Sequence, residues 1–376
     1  DPYRDLTFVG LIGMLDPPKK EVKESIKLCK RAGIRVVMVT GDQPVTAKNV
    51  GRAVGLTENS DEVIHSRDIK PYEDLNEDEK TTLLKGSMLA RVSPRQKLDL
   101  ITLHQENRSV VAMTGDGVND APALKKADIG IAMGLRGTQV AQQAADMILK
   151  DDNFSTIVSA IEGGRVIFGN IRRFVRYLLS CNISEIMAVA IASFIGLPLP
   201  ILPLQILFLN LVTDVFPALA LGFDEGGPTV MERPPRDSDE PIARRKDWLE
   251  VGGYGLVLTV SVLGALGLSL TWLGFEVSRA VSVSFLTLAF AQLWHVFNMR
   301  EPNSKLFLNH ITRNPFIWFA LGLCTGLLLL VVYVPFLSRI LKAYPPGLSG
   351  WVVVLAFSVA PVGVGQGYRS LKNSLL

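Results

Sequence analysis

The sequence predicts a two-part chain: an α/β domain built on a parallel sheet, then an all-α membrane domain of six transmembrane helices. Three observations carry this reading. Short apolar runs alternate with amphipathic stretches over residues 1–165; long apolar segments follow from about residue 172; and basic residues gather in alternate connections between those segments. Strands alternating with helices are the pattern of a parallel sheet with crossover helices. Apolar segments of about 20 residues are long enough to cross the hydrocarbon core.

In the first part, Leu6–Leu15, Ile34–Thr40, Met88–Val92, Val110–Thr114 and Ile129–Ala132 are the strand candidates. Helix patterns fall between them, among them Lys19–Ala32 and Pro94–His104. The second has a start signal: Ser93 at the N-cap, Pro94 in the first turn and Gln96 to complete a capping box. Loops that carry chemistry in such sheets lie at the carboxyl ends of the strands.

In the second part, residues 166–376, six spans are expected near 172–195, 199–222, 251–274, 280–299, 315–338 and 344–368. Charge fixes their orientation. Arg165, Arg172, Arg173 and Arg176 precede the first span; Arg233, Arg236, Arg244, Arg245 and Lys246 lie in the second connection; Arg300, Lys305 and Arg313 lie in the fourth; Arg369 and Lys372 follow the last. The intervening connections hold only Arg279, Arg339 and Lys342. The positive-inside rule therefore puts the α/β domain, the basic loops and the C-terminus in the cytoplasm. The chain opens on the charged Asp1-Pro2-Tyr3-Arg4-Asp5, which is unlike a cleavable signal peptide.

Composition excludes other classes. A net charge of +3 and no basic stripe interleaved with aromatics argue against a nucleic-acid partner. Cys29, Cys181 and Cys324 are odd in number and far apart, so neither a disulfide framework nor a zinc pair is expected, and buried thiols are.

Two loops carry the chemistry of the first part. Val39-Thr40-Gly41-Asp42 and Met113-Thr114-Gly115-Asp116-Gly117-Val118-Asn119-Asp120 each follow a strand and place a carboxylate among small residues. Glycine lets the backbone approach a ligand closely. Two such loops suit a hard, oxygen-ligated cation such as Mg2+, which commonly pairs with phosphate oxygens. The competing reading, strongest for Thr40-Gly41-Asp42, is an ordinary turn.

The membrane part points to an ion. Asn182 and Glu185 in the first span are three apart, and Asn210, Thr213 and Asp214 in the second sit at i, i+3 and i+4, so each set shares a helical face. Ionisable groups at membrane depth mark ion pathways, and carboxylates with amide and hydroxyl oxygens suit a hard cation. Pro217 is expected to free backbone carbonyls nearby. Interhelical hydrogen bonds are the structural alternative, and His295 reads as a packed residue.

These residues carry a resemblance. Val39–Ala47, Ala112–Leu124, Ala127–Gly134, Leu15-Asp16-Pro17-Pro18, Ala90–Lys97, Asp151-Asp152-Asn153-Phe154 and Asn182–Arg236 resemble motifs of P-type cation-transporting ATPases, most like sarcoplasmic-reticulum-type calcium pumps. The resemblance implies a haloacid-dehalogenase-like phosphorylation domain, ATP as substrate, Mg2+ as cofactor and Ca2+ as cargo. It implies that Asp116 binds Mg2+ with Asp120 holding the loop, that Thr40 and Lys97 contact an aspartyl-phosphate, and that Gly41, Asp42 and Asn119 line the same site. It implies an ion site of Asn182, Glu185, Asn210, Thr213, Asp214 and Gln292. Gln292 departs from the Glu of that subfamily, as in plasma-membrane-type calcium pumps, and points to one Ca2+ per cycle. An Asp-Lys-Thr-Gly-Thr run, the family's phosphoryl acceptor, is absent. The chain alone is therefore expected to be inactive without the N-terminal part of the pump, in a plasma membrane or an internal calcium store. A pump for Na+, Mn2+ or H+, a membrane-tethered phosphatase of the dehalogenase type and a non-catalytic membrane binding protein are the alternatives.

Overall fold

The computed structural model describes residues 4, 6–10, 12, 17–57, 63–227, 229–301 and 309–374. The chain divides into two compact units, Asp1–Glu162 with Thr229–Asp239, and Gly163–Pro228 with Glu240–Leu376.

In the first unit the order is α1 (Glu21–Arg31), β1 (Met38–Thr40), α2 (Pro44–Ala53), β2 (Ile64–His65), α3 (Glu77–Lys85), β3 (Met88–Ala90), α4 (Pro94–Glu106), β4 (Ala112–Gly115), α5 (Ala121–Lys126), β5 (Ile129–Met133), α6 (Gln139–Ala144) and β6 (Met147–Leu149). Every strand pairing is parallel. The strands form two three-stranded sheets, ordered β1-β3-β2 and β4-β5-β6. Thus β1 and β4, which end in the two acidic loops, each have one edge that pairs with no strand among the described residues.

The strands are shorter than their apolar runs because pairing, not hydrophobicity, sets their length. Met38–Thr40 ladders with Met88–Ala90, and Ile34–Val37 lies outside the strand. The strand expected over Leu6–Leu15 is not found in its described part, residues 6–10 and 12, where Leu6, Phe8, Val9 and Ile12 are exposed without a ladder partner. The remainder of that run, Asp5, the Leu15-Asp16 half of Leu15-Asp16-Pro17-Pro18 and Lys305 lie outside the described residues.

Helix α4 starts as its sequence directs. Ser93 Oγ accepts from the Gln96 amide at 3.3 Å, and Gln96 Oε1 accepts from the Ser93 amide at 3.0 Å. Leu100, Ile101 and Leu103 bury the opposite face. Ser93→Ala should cost about 1 kcal/mol, read as a lower urea midpoint with unchanged slope for the first unit's transition. An unchanged midpoint would mean that packing alone sets the start of α4.

The second unit contains helices from six regions long and apolar enough to cross a membrane. Helix α7 runs unbroken over 41 residues, Phe154–Phe194, and so begins in the first unit. At 1.5 Å per residue this is roughly 60 Å, about twice the hydrocarbon thickness. The second region is broken into α8 (Pro203–Phe208), a π-helical turn (Leu209–Thr213) and α9 (Val215–Gly222). Then come α10 (Arg245–Thr271), α11 (Val277–His295), α12 (His310–Arg313), α13 (Pro315–Tyr333), α14 (Pro335–Leu341) and α15 (Gly347–Ser374). The expected span 315–338 ends at Tyr333, because Pro335 has no N–H to continue α13 and starts α14 instead. Helix α11 is buried along nearly its whole length and is the centre of the unit. Exposed Leu204, Leu207, Leu211, Val215 and Leu219 form an apolar stripe on the second region.

Candidate phosphoryl-transfer and ion sites

In the first unit the segment after β3 links the two acidic loops. The Val92 amide donates to the Thr40 carbonyl at 3.1 Å, and the Arg91 amide donates to the Asp42 carbonyl at 3.2 Å. The Asp42 amide donates to Thr40 Oγ1 at 3.1 Å, closing the turn. Five residues on, Lys97 Nζ donates to Asp120 Oδ1 at 2.6 Å, with both side chains mostly buried. The α4 capping box therefore places a cation between the loops.

Asp120 also organises its own loop. Its Oδ2 accepts from the Asp116 amide at 3.3 Å and the Gly117 amide at 3.2 Å. A Cβ on Gly115 would lie 2.6 Å from Asp120 Cβ, so glycine there is what lets Asp120 fold back. The Asp116 carbonyl accepts from the Thr138 amide at 2.8 Å. Asp116 and Asn119 are exposed. A Cβ on Gly41 would meet nothing within 4 Å, so no described part of the protein requires glycine there and the space beside it is open.

Asp116 also lines a cleft of about 140 Å³ with Lys19, Met133, Arg136 and Asp152. No group of three His, Cys, Asp or Glu side chains that could hold a metal is found among the described residues. Since Asp120 is engaged by Lys97 and two amides, Asp116 is the carboxylate of its own loop left to offer. That donor set fits Mg2+ in its common mode of one or two carboxylates, with waters and phosphate oxygens completing the shell. It does not fit a metal that needs a full protein cage.

In the second unit Glu185, Thr213, Asp214 and Gln292 are buried. Gln292 Nε2 donates to Glu185 Oε1 at 2.9 Å, joining α11 to α7. Gln292 Oε1 and both Asp214 carboxyl oxygens are buried without a hydrogen-bond partner. Buried polar atoms are nearly always satisfied, so three such oxygens on two helical segments form a candidate ion site.

The π turn explains their orientation. The Asp214 amide donates to Leu209 O, five residues back, at 3.1 Å. Pro217 has no N–H for Thr213 O, which instead accepts from Tyr177 Oη at 3.4 Å; Tyr177 Oη also contacts Gln292 O at 3.3 Å. Cys324 Sγ lies 3.3 Å from Val212 O. Asn210, expected on one face with Thr213 and Asp214, is exposed whereas they are buried, because a wider turn breaks the 3.6-residue periodicity. Asn182 is half-buried and its Nδ2 donates to Leu178 O at 2.9 Å within its own helix. His295 is packed, stacked on Tyr177 at 5.9 Å and edge-on to Tyr254 at 4.7 Å. All three cysteines are buried and none is in a disulfide.

Tyr177 escaped the sequence reading, although its spacing of eight residues before Glu185 places it near the same helical face. A second cluster left no such signal. Arg173 Nη1 pairs with Asp224 Oδ2, and His310 Nδ1 lies 2.8 Å from the same oxygen. Asn170 Nδ2 donates to Gly222 O at 3.0 Å and Asp224 O at 2.7 Å. Burial opposes ionisation of Asp224, but His310 and Arg173 outweigh it and hold the carboxyl below its usual range.

Acidic loops at strand ends in the first unit and buried carboxyl groups among long apolar helices in the second are the features to be placed in a family. Comparison with known proteins places them. A family model described as "Cation transporting ATPase, C-terminus" matches residues 198–371, and two models of haloacid dehalogenase-like hydrolases match residues 2–128 and 98–161. A calcium-transporting ATPase of Bacillus subtilis is 41% identical over 363 residues, covering 95% of this chain and 40% of the relative. The endoplasmic reticulum-type calcium-transporting ATPase 4 of Arabidopsis thaliana is 36% identical, covering 96% and 39%. The endoplasmic reticulum calcium ATPase srcA of Aspergillus fumigatus is 37% identical, covering 96% and 41%. The chain belongs to the P-type cation-transporting ATPases, on the calcium-pump-like side of that family. It spans about two fifths of the length of the curated relatives it matches.

Proposed function

We propose that this chain supplies the Mg2+-binding half of a phosphorylation site and the cation site of a pump that moves Ca2+ out of the cytoplasm at the expense of ATP. The observation that carries the reading is the buried trio Glu185, Asp214 and Gln292, with unpartnered oxygens at the last two. Asp116 would hold Mg2+, which screens phosphate charge when bound. Lys97, held by Asp120, would neutralise charge on the transferring phosphoryl group; Thr40 and the open space at Gly41 would receive its oxygens, with Asp42 and Asn119 beside them. Such positioning and electrostatic stabilisation are most of what phosphoryl transfer needs.

The phosphoryl acceptor would come from a part of the pump beyond this chain, since no Asp-Lys-Thr-Gly-Thr run occurs in it. The unpaired edges of β1 and β4 support this, because a strand from elsewhere can ladder beside either loop. By itself the chain would not turn over ATP. An amide at Gln292, where a carboxylate would add charge, supports one Ca2+ per cycle. Asn182 and Thr213 would complete its shell, and Asn210 would join them by turning inward from the exposed face of the broken helix. The membrane would be the plasma membrane or that of an internal calcium store.

The test is acid-stable phosphorylation of the complete pump from ATP, with and without Ca2+. Phosphorylation should require Ca2+ and should lose that requirement's response in Glu185→Ala and Asp214→Ala. Equal phosphorylation in the absence of Ca2+, or dependence on Na+ or Mn2+ alone, would assign a different cargo.

A further inference from the structure

The turn Asp151-Asp152-Asn153 begins α7, yet one of its carboxylates faces away from that helix. Asp151 Oδ1 accepts from the Asn153 amide at 3.1 Å and its Oδ2 accepts from Thr156 Oγ1 at 2.7 Å, which caps the helix start. Asn153 Oδ1 accepts from the Ser155 amide at 3.2 Å. Asp152 takes no part in this cap. Its Oδ1 accepts from the amides of Gly134 at 2.7 Å and Leu135 at 3.0 Å, and its Oδ2 from the amide of Arg136 at 2.8 Å. Three successive N–H groups around one carboxylate form an anion-binding nest, here filled by the protein itself. Asp152 reaches it from a left-handed backbone conformation, φ 48°.

That loop ends on the metal carboxylate's own backbone. From Arg136 the chain passes Gly137, where a Cβ would lie 2.0 Å from Met133 O, to Thr138. The Thr138 amide donates to Asp116 O at 2.8 Å. Thr138 Oγ1 meanwhile accepts from the Ala141 amide at 3.3 Å and caps α6. Gln142 Nε2 ties the inner side by donating to the carbonyls of Met133, Gly134 and Gly137 at 3.1–3.2 Å. The loop has one geometry, and its outer side is set by Asp152.

We propose that Asp152 is a positioning residue for Asp116: by fixing the Gly134–Arg136 amides it sets the Thr138 amide, which orients the backbone from which the metal-binding carboxylate projects. The proposal rests on the reading of Asp116 as the Mg2+ ligand. Groups that orient metal ligands from behind are typically worth 10–100-fold in affinity. Asp152 acts through one further link, so a loss of about five- to tenfold is expected. The three amides, the Leu135 amide foremost, also hold the Asp152 carboxyl below its usual range, so it is ionised at neutral pH.

The experiment uses the 376-residue chain in detergent or nanodiscs, with Mn2+ as an electron-paramagnetic probe of the Mg2+ site. Asp152→Asn keeps the shape and tolerates the left-handed backbone; Asp152→Gly relieves that backbone and removes both acceptors. Mn2+ affinity should fall about fivefold in the first and about tenfold in the second, with amide exchange accelerated at residues 134–138. The loss should persist in 1 M salt, where a purely long-range effect of the Asp152 charge would be screened. Asp116→Asn should abolish binding. If Asp116→Asn abolishes it and both Asp152 variants leave it unchanged, the positioning role fails and the metal reading stands. If Asp116→Asn leaves binding unchanged, the metal reading itself fails.

A second arm needs no variant. Binding and loop order are reciprocally coupled if one depends on the other, so saturating Mn2+ should slow amide exchange across residues 134–138 of the unaltered chain. Unchanged exchange there would overturn the proposal even if the Asp152 variants do not fold.

Discussion

Asp214→Asn should stabilise the chain in cation-free buffer by about 2 kcal/mol, while abolishing any stabilisation by Ca2+. Asp214 is 2% exposed, and neither carboxyl oxygen has a hydrogen-bond partner. A buried carboxylate loses several kcal/mol of hydration, and a neutral amide of the same shape loses much less. On the proposed ion-site reading, the carboxyl group is unfavourable by itself and becomes favourable once a cation sits against it. In the unaltered chain, Ca2+ at a hundred times its dissociation constant should add about 2.7 kcal/mol. The buried thiols of Cys29, Cys181 and Cys324, none of them in a disulfide, supply the measurement, since a thiol-reactive fluorophore reports their exposure on heating. A variant less stable than the unaltered chain without Ca2+ would mean that Asp214 is held by the fold itself, and the ion-site reading would fall.

Arg173→Met should have the opposite sign and a larger size, a loss of about 3–5 kcal/mol. It removes the guanidinium from a carboxylate that is 5% exposed and leaves His310 as the remaining side-chain neighbour. Breaking one side of a buried pair strands the other charge, whereas replacing both by apolar groups is often neutral. Arg173→Met with Asp224→Leu should therefore recover most of the loss, measured by the same thiol assay. A double variant no better than the single one would show that Arg173 acts elsewhere. The pH dependence has a definite sign. Because the Asp224 carboxyl is held below its usual range in the fold, its contribution is complete above the ordinary value near 4 and declines as pH falls below it. The double variant should show a flatter acid limb.

The sequence was most informative where structure is local. The α4 capping box, its Pro94 start and the placement of Lys97 follow from residues three or four apart, and the fold reproduces them. Length and apolarity likewise located the spans, since both are properties of one segment. The periodicity argument failed at Asn210 because it assumes a regular turn, and the π turn answers to Pro217, Tyr177 and neighbouring helices. Strands β2 and β6 are two and three residues long, too short to show an alternating pattern. The Arg173, Asp224 and His310 cluster joins residues 51 and 137 positions apart, a separation no pattern in one chain reveals. Asp152 was visible within a motif, but its task became legible only once the amides of a loop 16 residues away were seen around it.

The open edges of β1 and β4 bear on the life of the chain in the cell as well as on its chemistry. An unpaired strand is a template for whatever extended segment arrives first, including another copy still being made. These edges are three and four residues long, and very short edges are poor templates. The same brevity that hides the strands from a sequence reader thus limits what can ladder onto them.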